Sequence, residues 1–178
     1  MPRLTIVEPK DATGDAARIL ASAPINIFKG LAAHPEIFSA FVAFMRSVEH
    51  ASALSKAEKE MVMLLSAEKR GCVYCVSAHT KLAAGAGVNA QAALDARVGR
   101  AAGVRHQALL DFTAAVVDRN GFVTDEELAA FRAAGYDDKA AIEVIAAITV
   151  MTFTNLYNHV HDTALDFPPV PVLAPAHG

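Results

Sequence analysis

The stretch RGCVYCVSAHT, residues 70–80, contains both cysteines of the chain, Cys72 and Cys75, followed four positions later by His79. In an α-helix, positions i, i+3 and i+7 differ by about 60° or less in azimuth, so the three side chains share one face. Two thiols three residues apart also meet the Cα separation of roughly 4.4–6.8 Å that a disulfide needs. At the start of a helix Cys72 would meet unpaired N–H groups and the positive end of the dipole, and on that ground alone it is expected to be the more acidic thiol. Such a pair can exchange two electrons, and a histidine one turn on can move a proton. Two other readings use the same residue types. Cys-x2-Cys-x3-His supplies three zinc ligands, with His159 or His161 as a fourth, although zinc ribbons take their ligands from turns and use a second cysteine pair. Two cysteines on an alanine-rich helix also pack as small apolar residues. A thioredoxin-like reading fails, because it needs a strand ahead of the motif.

The elements that must position these residues read as helices throughout. Residues 15–23 form one short helical stretch among prolines 2, 9 and 24, so residues 1–30 read as an arm of the kind that packs on a partner subunit. After Pro35, the residues Ile37, Phe38, Phe41, Val42, Met45 and Val48 recur at helical spacing. Ser55 and Glu58 make a capping box opening a helix to about Arg70, and Gly71 stops it. The cysteine helix follows over residues 72–84, and Asn89 caps a short helix to Arg97. Residues 105–118 repeat the pattern, and Thr124 with Glu127 makes a second capping box leading to a stop at Gly135. From Asp137 or Asp138, AAIEVIAAITVMTFTNLYNHV is apolar nearly all round up to Phe153, which predicts burial between helices or in a subunit interface. The tail, residues 162–178, carries four of the eight prolines and is expected to be extended. Only LTIVE, residues 4–8, weakly suggests a strand, so the fold class is all-α.

Composition bounds the function. A chain of 178 residues that is 53% hydrophobic and 20% charged is long enough for one compact domain spanning 1–178, with a core over about 30–168. The net charge of -3 and the lack of Lys/Arg clusters argue against nucleic acid and anionic membrane as partners. MPRLTIVEPKD has acidic and proline residues where a secretory signal needs apolar ones, which points to the cytoplasm and to thiols or a transient disulfide.

Residues 54–80, LSKAEKEMVMLLSAEKRGCVYCVSAHT, followed by LAAGAG, resemble the core motif of the alkylhydroperoxidase D and carboxymuconolactone decarboxylase superfamily. That motif is a glutamate, eleven residues, Cys-x2-Cys, three residues and a histidine; here these are Glu60, Cys72, Cys75 and His79. The likeness runs over roughly residues 30–168, and NHVHDTALDFP is similar to the tail of the peroxidase-related subgroup. The resemblance implies an all-helical fold and a thiol peroxidase. In it the second cysteine, Cys75, attacks a peroxide, the first, Cys72, resolves the sulfenic acid to a disulfide, and Glu60 and His79 relay protons. It also implies a lipoyl or thioredoxin-like external dithiol as reductant, no cofactor or metal, and assembly as dimers, trimers or hexamers. The order of the cysteines comes from the resemblance and opposes the dipole expectation. Tyr74 stands where the alkylhydroperoxidase D proteins proper have a histidine; with a phenol pKa near 10 it implies a slower relay. The decarboxylase branch acts on a lactone carboxylate without a cysteine pair, so it is the alternative reading, alongside a metal-binding or purely structural oligomer.

Without the motif, Glu60 would read as one of three exposed charges with Glu58 and Lys59. His159 and His161, with Asn155 and Asn158, read first as polar residues marking where the last helix leaves the core; the functional alternative puts His159 or a neighbour beside the dithiol. DRNGFVTDEE, residues 118–127, resembles a calcium loop lacking its first carboxylate and is read as a turn. His34, His50, His106 and His177 read as surface or capping residues.

Overall fold

The computed structural model describes residues 2–173, which form nine α-helices and no strand. In order they are α1 (Gly14–Ser22), α2 (Asn26–Leu31), α3 (Pro35–His50), α4 (Lys56–Lys69), α5 (Val73–Gly85), α6 (Ala90–Arg97), α7 (Val104–Asp118), α8 (Asp125–Ala133) and α9 (Asp138–His161). The helix α4 is the hub, packed by α5, α6, α7 and α9. Every residue from Met61 to Glu68 is buried, as a helix surrounded on all sides requires.

Helix ends follow the local chemistry. Both capping boxes form, Ser55 with Glu58 and Thr124 with Glu127, while Asn89 caps α6 and Asp137 caps α9. The α4–α5 corner decides the site. Gly71 adopts φ 67°, its N–H bonds to Glu68 O at 2.9 Å, and the Cys72 N–H bonds to Ala67 O at 3.1 Å. These two bonds satisfy the last carbonyls of α4 in a Schellman motif. Cys72, the residue after that turn, is at once the N-cap of α5, so the cysteine helix starts without a linker.

The arm, the tail and α9 show details that the sequence leaves open. The arm includes a helix, α2, which the sequence leaves unread; six residues are too few to show a period, and the burial of Ile27, Phe28 and Leu31 holds it. The arm lies on its own chain, with Arg3 N–H donating to His161 O at 2.8 Å and Val7 N–H to Lys29 O at 2.9 Å, and LTIVE is not a strand. The tail after Asp162 is extended and packs back on the body. Val170 N–H donates to Ser77 Oγ at 2.9 Å, and Arg97 donates to Pro171 O at 2.6 Å. The last stretch of the tail, 174–178 with His177, lies outside the described residues. Finally, α9 is not enclosed all round: Val144, Ala147, Ile148 and Met151 are buried, whereas Ile142, Ile145, Leu156 and Val160 are exposed. By length and composition alone α9 could cross a membrane; here one of its faces forms part of the core.

Candidate active site

The corner places two free thiols against α9. Cys72 Sγ and Cys75 Sγ lie 3.0 Å apart, unbonded and almost wholly buried. Asn158, one of the residues read as a helix-exit marker, donates its amide to Cys75 Sγ at 3.2 Å and lies 4.0 Å from Cys72 Sγ. Thr154 Oγ1, which the sequence did not single out, is 3.8 Å from Cys75 Sγ. Two donors, the Cys72 thiol and the Asn158 amide, therefore converge on Cys75, while the Thr154 hydroxyl donates to Val150 O and Met151 O. The hydrogen bond from the Cys72 thiol brings the Cys75 pKa down to about 6 against the effect of burial, helped by the charge of His79 and the Asn158 amide. Cys72 moves the other way, raised by that same bond, by burial and by the neighbouring thiolate. The dipole expectation is thus reversed. As the capping residue Cys72 spends its proton on Cys75 instead of ionising, and Cys75 inside the first turn keeps the charge.

His79 sits one turn further along α5, and its Nδ1 is 2.8 Å from Glu60 Oε2 on α4, each side chain only 16% exposed. Burial alone would lower the His79 pKa; the hydrogen bond and charge of Glu60, with the charge of Cys75, outweigh it and raise it. The reading of Glu58, Lys59 and Glu60 as exposed charges does not hold. Glu58 accepts from Tyr136 Oη at 2.7 Å, and Lys59 donates to Glu49 O at 3.1 Å, so both are spent on structure and Glu60 is left for His79. The expected quartet of Glu60, Cys72, Cys75 and His79 comes together.

Tyr74 does not join it. Its hydroxyl donates to Asp166 Oδ2 at 2.6 Å and its ring meets Phe167 edge-on, so it clamps the tail from the side of α5 away from His79. Burial and then Asp166 push its pKa up, which removes it as a proton shuttle. His159 is exposed and lines two clefts, of about 400 and 380 Å³, the second reaching Cys72. His161 points elsewhere, fully buried and stacked on Tyr157 at 5.1 Å, so the two histidines cannot share a metal. Among the described residues no three His, Cys, Asp or Glu side chains are grouped as a metal site needs. The calcium-like stretch is a turn: Asp118 pairs with Lys69 and Glu127 caps α8.

Asn155 and Asn158 are the residues that sequence reasoning undervalued. Both are buried, at 0% and 5% exposure, continuing the inward stripe through Val144, Ala147, Ile148 and Met151. The signal was available: an amide on the buried face of an apolar helix needs a polar partner.

Residues 35–118 match the sequence model of the carboxymuconolactone decarboxylase family. An alkylhydroperoxidase AhpD core structure, of an uncharacterized peroxidase-related protein from Ralstonia eutropha JMP134, superposes with TM-score 0.83 at 22% identity, covering 93% of this chain and 92% of that one. The chain is thus similar to the carboxymuconolactone decarboxylase family over residues 35–118 and has the fold of the alkylhydroperoxidase AhpD core. Its all-α fold is shared by an uncharacterized peroxidase-related protein from Silicibacter sp. TM1040, with TM-score 0.78, 20% identity and 95% and 92% coverage of the two chains. It is shared too by a cysteine-to-alanine variant of the debrominase Bmp8 in complex with 2,3,4-tribromopyrrole, with TM-score 0.73, 20% identity and 93% and 94% coverage. No curated protein matches the chain significantly.

The thiol asymmetry is measurable. Thiolate absorbance and alkylation of Cys75 should titrate with a midpoint of about 6. In Cys72→Ala the midpoint should rise by about one unit or more, because the strongest donor to the thiolate is gone. An unmoved midpoint would mean that the neighbouring thiol does not set the acidity.

Proposed function

We propose that the protein is a thiol-dependent peroxidase that reduces hydrogen peroxide or an alkyl hydroperoxide. The observation that carries this reading is the sulfur pair at 3.0 Å in which Cys75 is the acidic member and Glu60–His79 stands one turn away. The Cys75 thiolate attacks the distal peroxide oxygen, the O–O bond breaks, and the alkoxide leaves with a proton from the His79–Glu60 pair. Cys75 is then a sulfenic acid. The Cys72 thiol attacks it, water departs, and a Cys72–Cys75 disulfide closes after small sulfur movements. An external dithiol, lipoyl or thioredoxin-like, returns two electrons and two protons. The exposed apolar face of α9 suits assembly into a trimer, hexamer or dimer. No cofactor enters the cycle.

A carboxymuconolactone decarboxylase-like reaction gives the sulfur pair nothing to do, and a structural or metal-binding oligomer does not account for the acidity of Cys75. Since a debrominase shares the fold, a halogenated aromatic belongs among the acceptors tried.

The direct test is a thiol count. One equivalent of peroxide should take two free thiols to none, dihydrolipoamide or reduced thioredoxin should restore both, and two thiols persisting after peroxide would overturn the reading. Glu60→Gln should lower turnover by about a hundredfold. It should also lower the His79 pKa, since the hydrogen bond and charge that raise it are lost. The fall in rate should therefore be steeper above neutral pH, where His79 would no longer carry its proton.

A further inference from the structure

The cleft of about 400 Å³ lies between the end of α4, the end of α7 and the outer part of α9. Its charged groups are Lys69, Arg70, Asp118 and, when protonated, His159. Lys69 Nζ and Asp118 Oδ2 neutralise one another at 2.7 Å. Arg70 has no carboxylate partner among the described residues, and its Nε is buried with nothing to donate to. A guanidinium keeps its charge at any working pH, and a buried N–H without an acceptor costs free energy until something supplies one. Asn155 forms part of the same lining. It is fully buried, its amide oxygen makes no hydrogen bond, and its amide N–H is directed at the thiols closely enough to draw both their pKa values down. The cleft thus has an unpaired cation at one place and, at the place nearest the sulfurs, a buried amide that faces the thiols.

We infer that this cleft is the acceptor-substrate site and that it takes an acceptor bearing a carboxylate or comparable anion, held by Arg70 while its reactive end lies against Asn155 and the dithiol. The inference rests on the thiol-peroxidase reading for the identity of the reactive end, a hydroperoxide. It does not rest on that reading for the charge. Arg70 acts here as a specificity-determining residue: it is only half-buried, and the accessible side of its guanidinium fork suits a carboxylate. The volume is within the range of small-molecule sites. Asp118 is the one carboxylate in the lining, and its pairing with Lys69 keeps it from repelling the ligand.

The experiment uses two matched pairs of reagents on the full chain. Iodoacetate and iodoacetamide differ in one negative charge and report on guidance to the thiols without any peroxide chemistry. A carboxylate-bearing alkyl hydroperoxide and its methyl ester report on turnover. In Arg70→Met the iodoacetate to iodoacetamide rate ratio and the acid to ester kcat/KM ratio should each fall about tenfold, the loss of one charge-assisted hydrogen bond, with Arg70→Lys in between. Ratios within one variant are insensitive to partial misfolding. If the alkylation ratio falls and no hydroperoxide is consumed, the anion site stands and the peroxidase reading fails. If hydroperoxides are consumed and neither ratio moves, the anion site is overturned and the peroxidase reading stands.

Discussion

Cys75→Ser is expected to lose peroxide turnover by a factor on the order of a thousand or more, because the thiolate is the nucleophile and a serine hydroxyl at the same place does not ionise near neutral pH. Cys72→Ser should behave differently. It keeps a hydroxyl to donate to Cys75 Sγ, normally 3.0 Å from Cys72 Sγ, yet cannot close a disulfide. One peroxide should be consumed per chain, and a dimedone adduct should map to Cys75 by mass spectrometry. Comparable peroxide consumption by Cys75→Ser and the natural chain, or a dimedone adduct at Cys72 in the natural chain, would exchange or remove the assigned roles.

The second large effect is on stability. Arg97 Nε and Glu68 Oε2 form an ion pair at 2.7 Å, with side chains only 6% and 4% exposed, and the same guanidinium holds the tail through Pro171 O at 2.6 Å. Leu173 N–H also donates to Glu68. Arg97→Met removes the cation and leaves a carboxylate in the interior with its strongest partner gone, a change that costs about 3–5 kcal/mol in buried pairs. The urea midpoint should fall accordingly, and limited proteolysis should cut within residues 164–173. Glu68→Gln combined with Arg97→Met should recover part of the loss, since the buried charge is then gone. A loss of unfolding free energy under about 1 kcal/mol in Arg97→Met would show that the pair and the strap contribute little.

The helical elements were legible because their signals are local. Capping boxes, the Gly71 and Gly135 stops and the three-and-four spacing of apolar residues each act within a few positions, and the structure matches them closely. The short α2 had no such signal: Asn26–Leu31 is a helix because the body buries Ile27, Phe28 and Leu31. Tyr74 shows the same limit at the site. Its place beside Cys75 in sequence suggested a part in the relay, but one position along a helix turns a side chain by about 100°, and a tail carboxylate ninety-two residues away holds its hydroxyl.

By itself the sequence determined the all-α class, the shared helical face of Cys72, Cys75 and His79, and, through the family motif, the pairing of that face with Glu60. Which thiol carries the charge was a tertiary matter. Local dipole reasoning favoured Cys72, and the order was reversed by Asn158 from α9, by the direction of one S–H, and by a histidine whose own proton is held by α4. These are contacts between groups up to eighty-three residues apart, in an interior where water cannot screen them, so no window of sequence contains their sum.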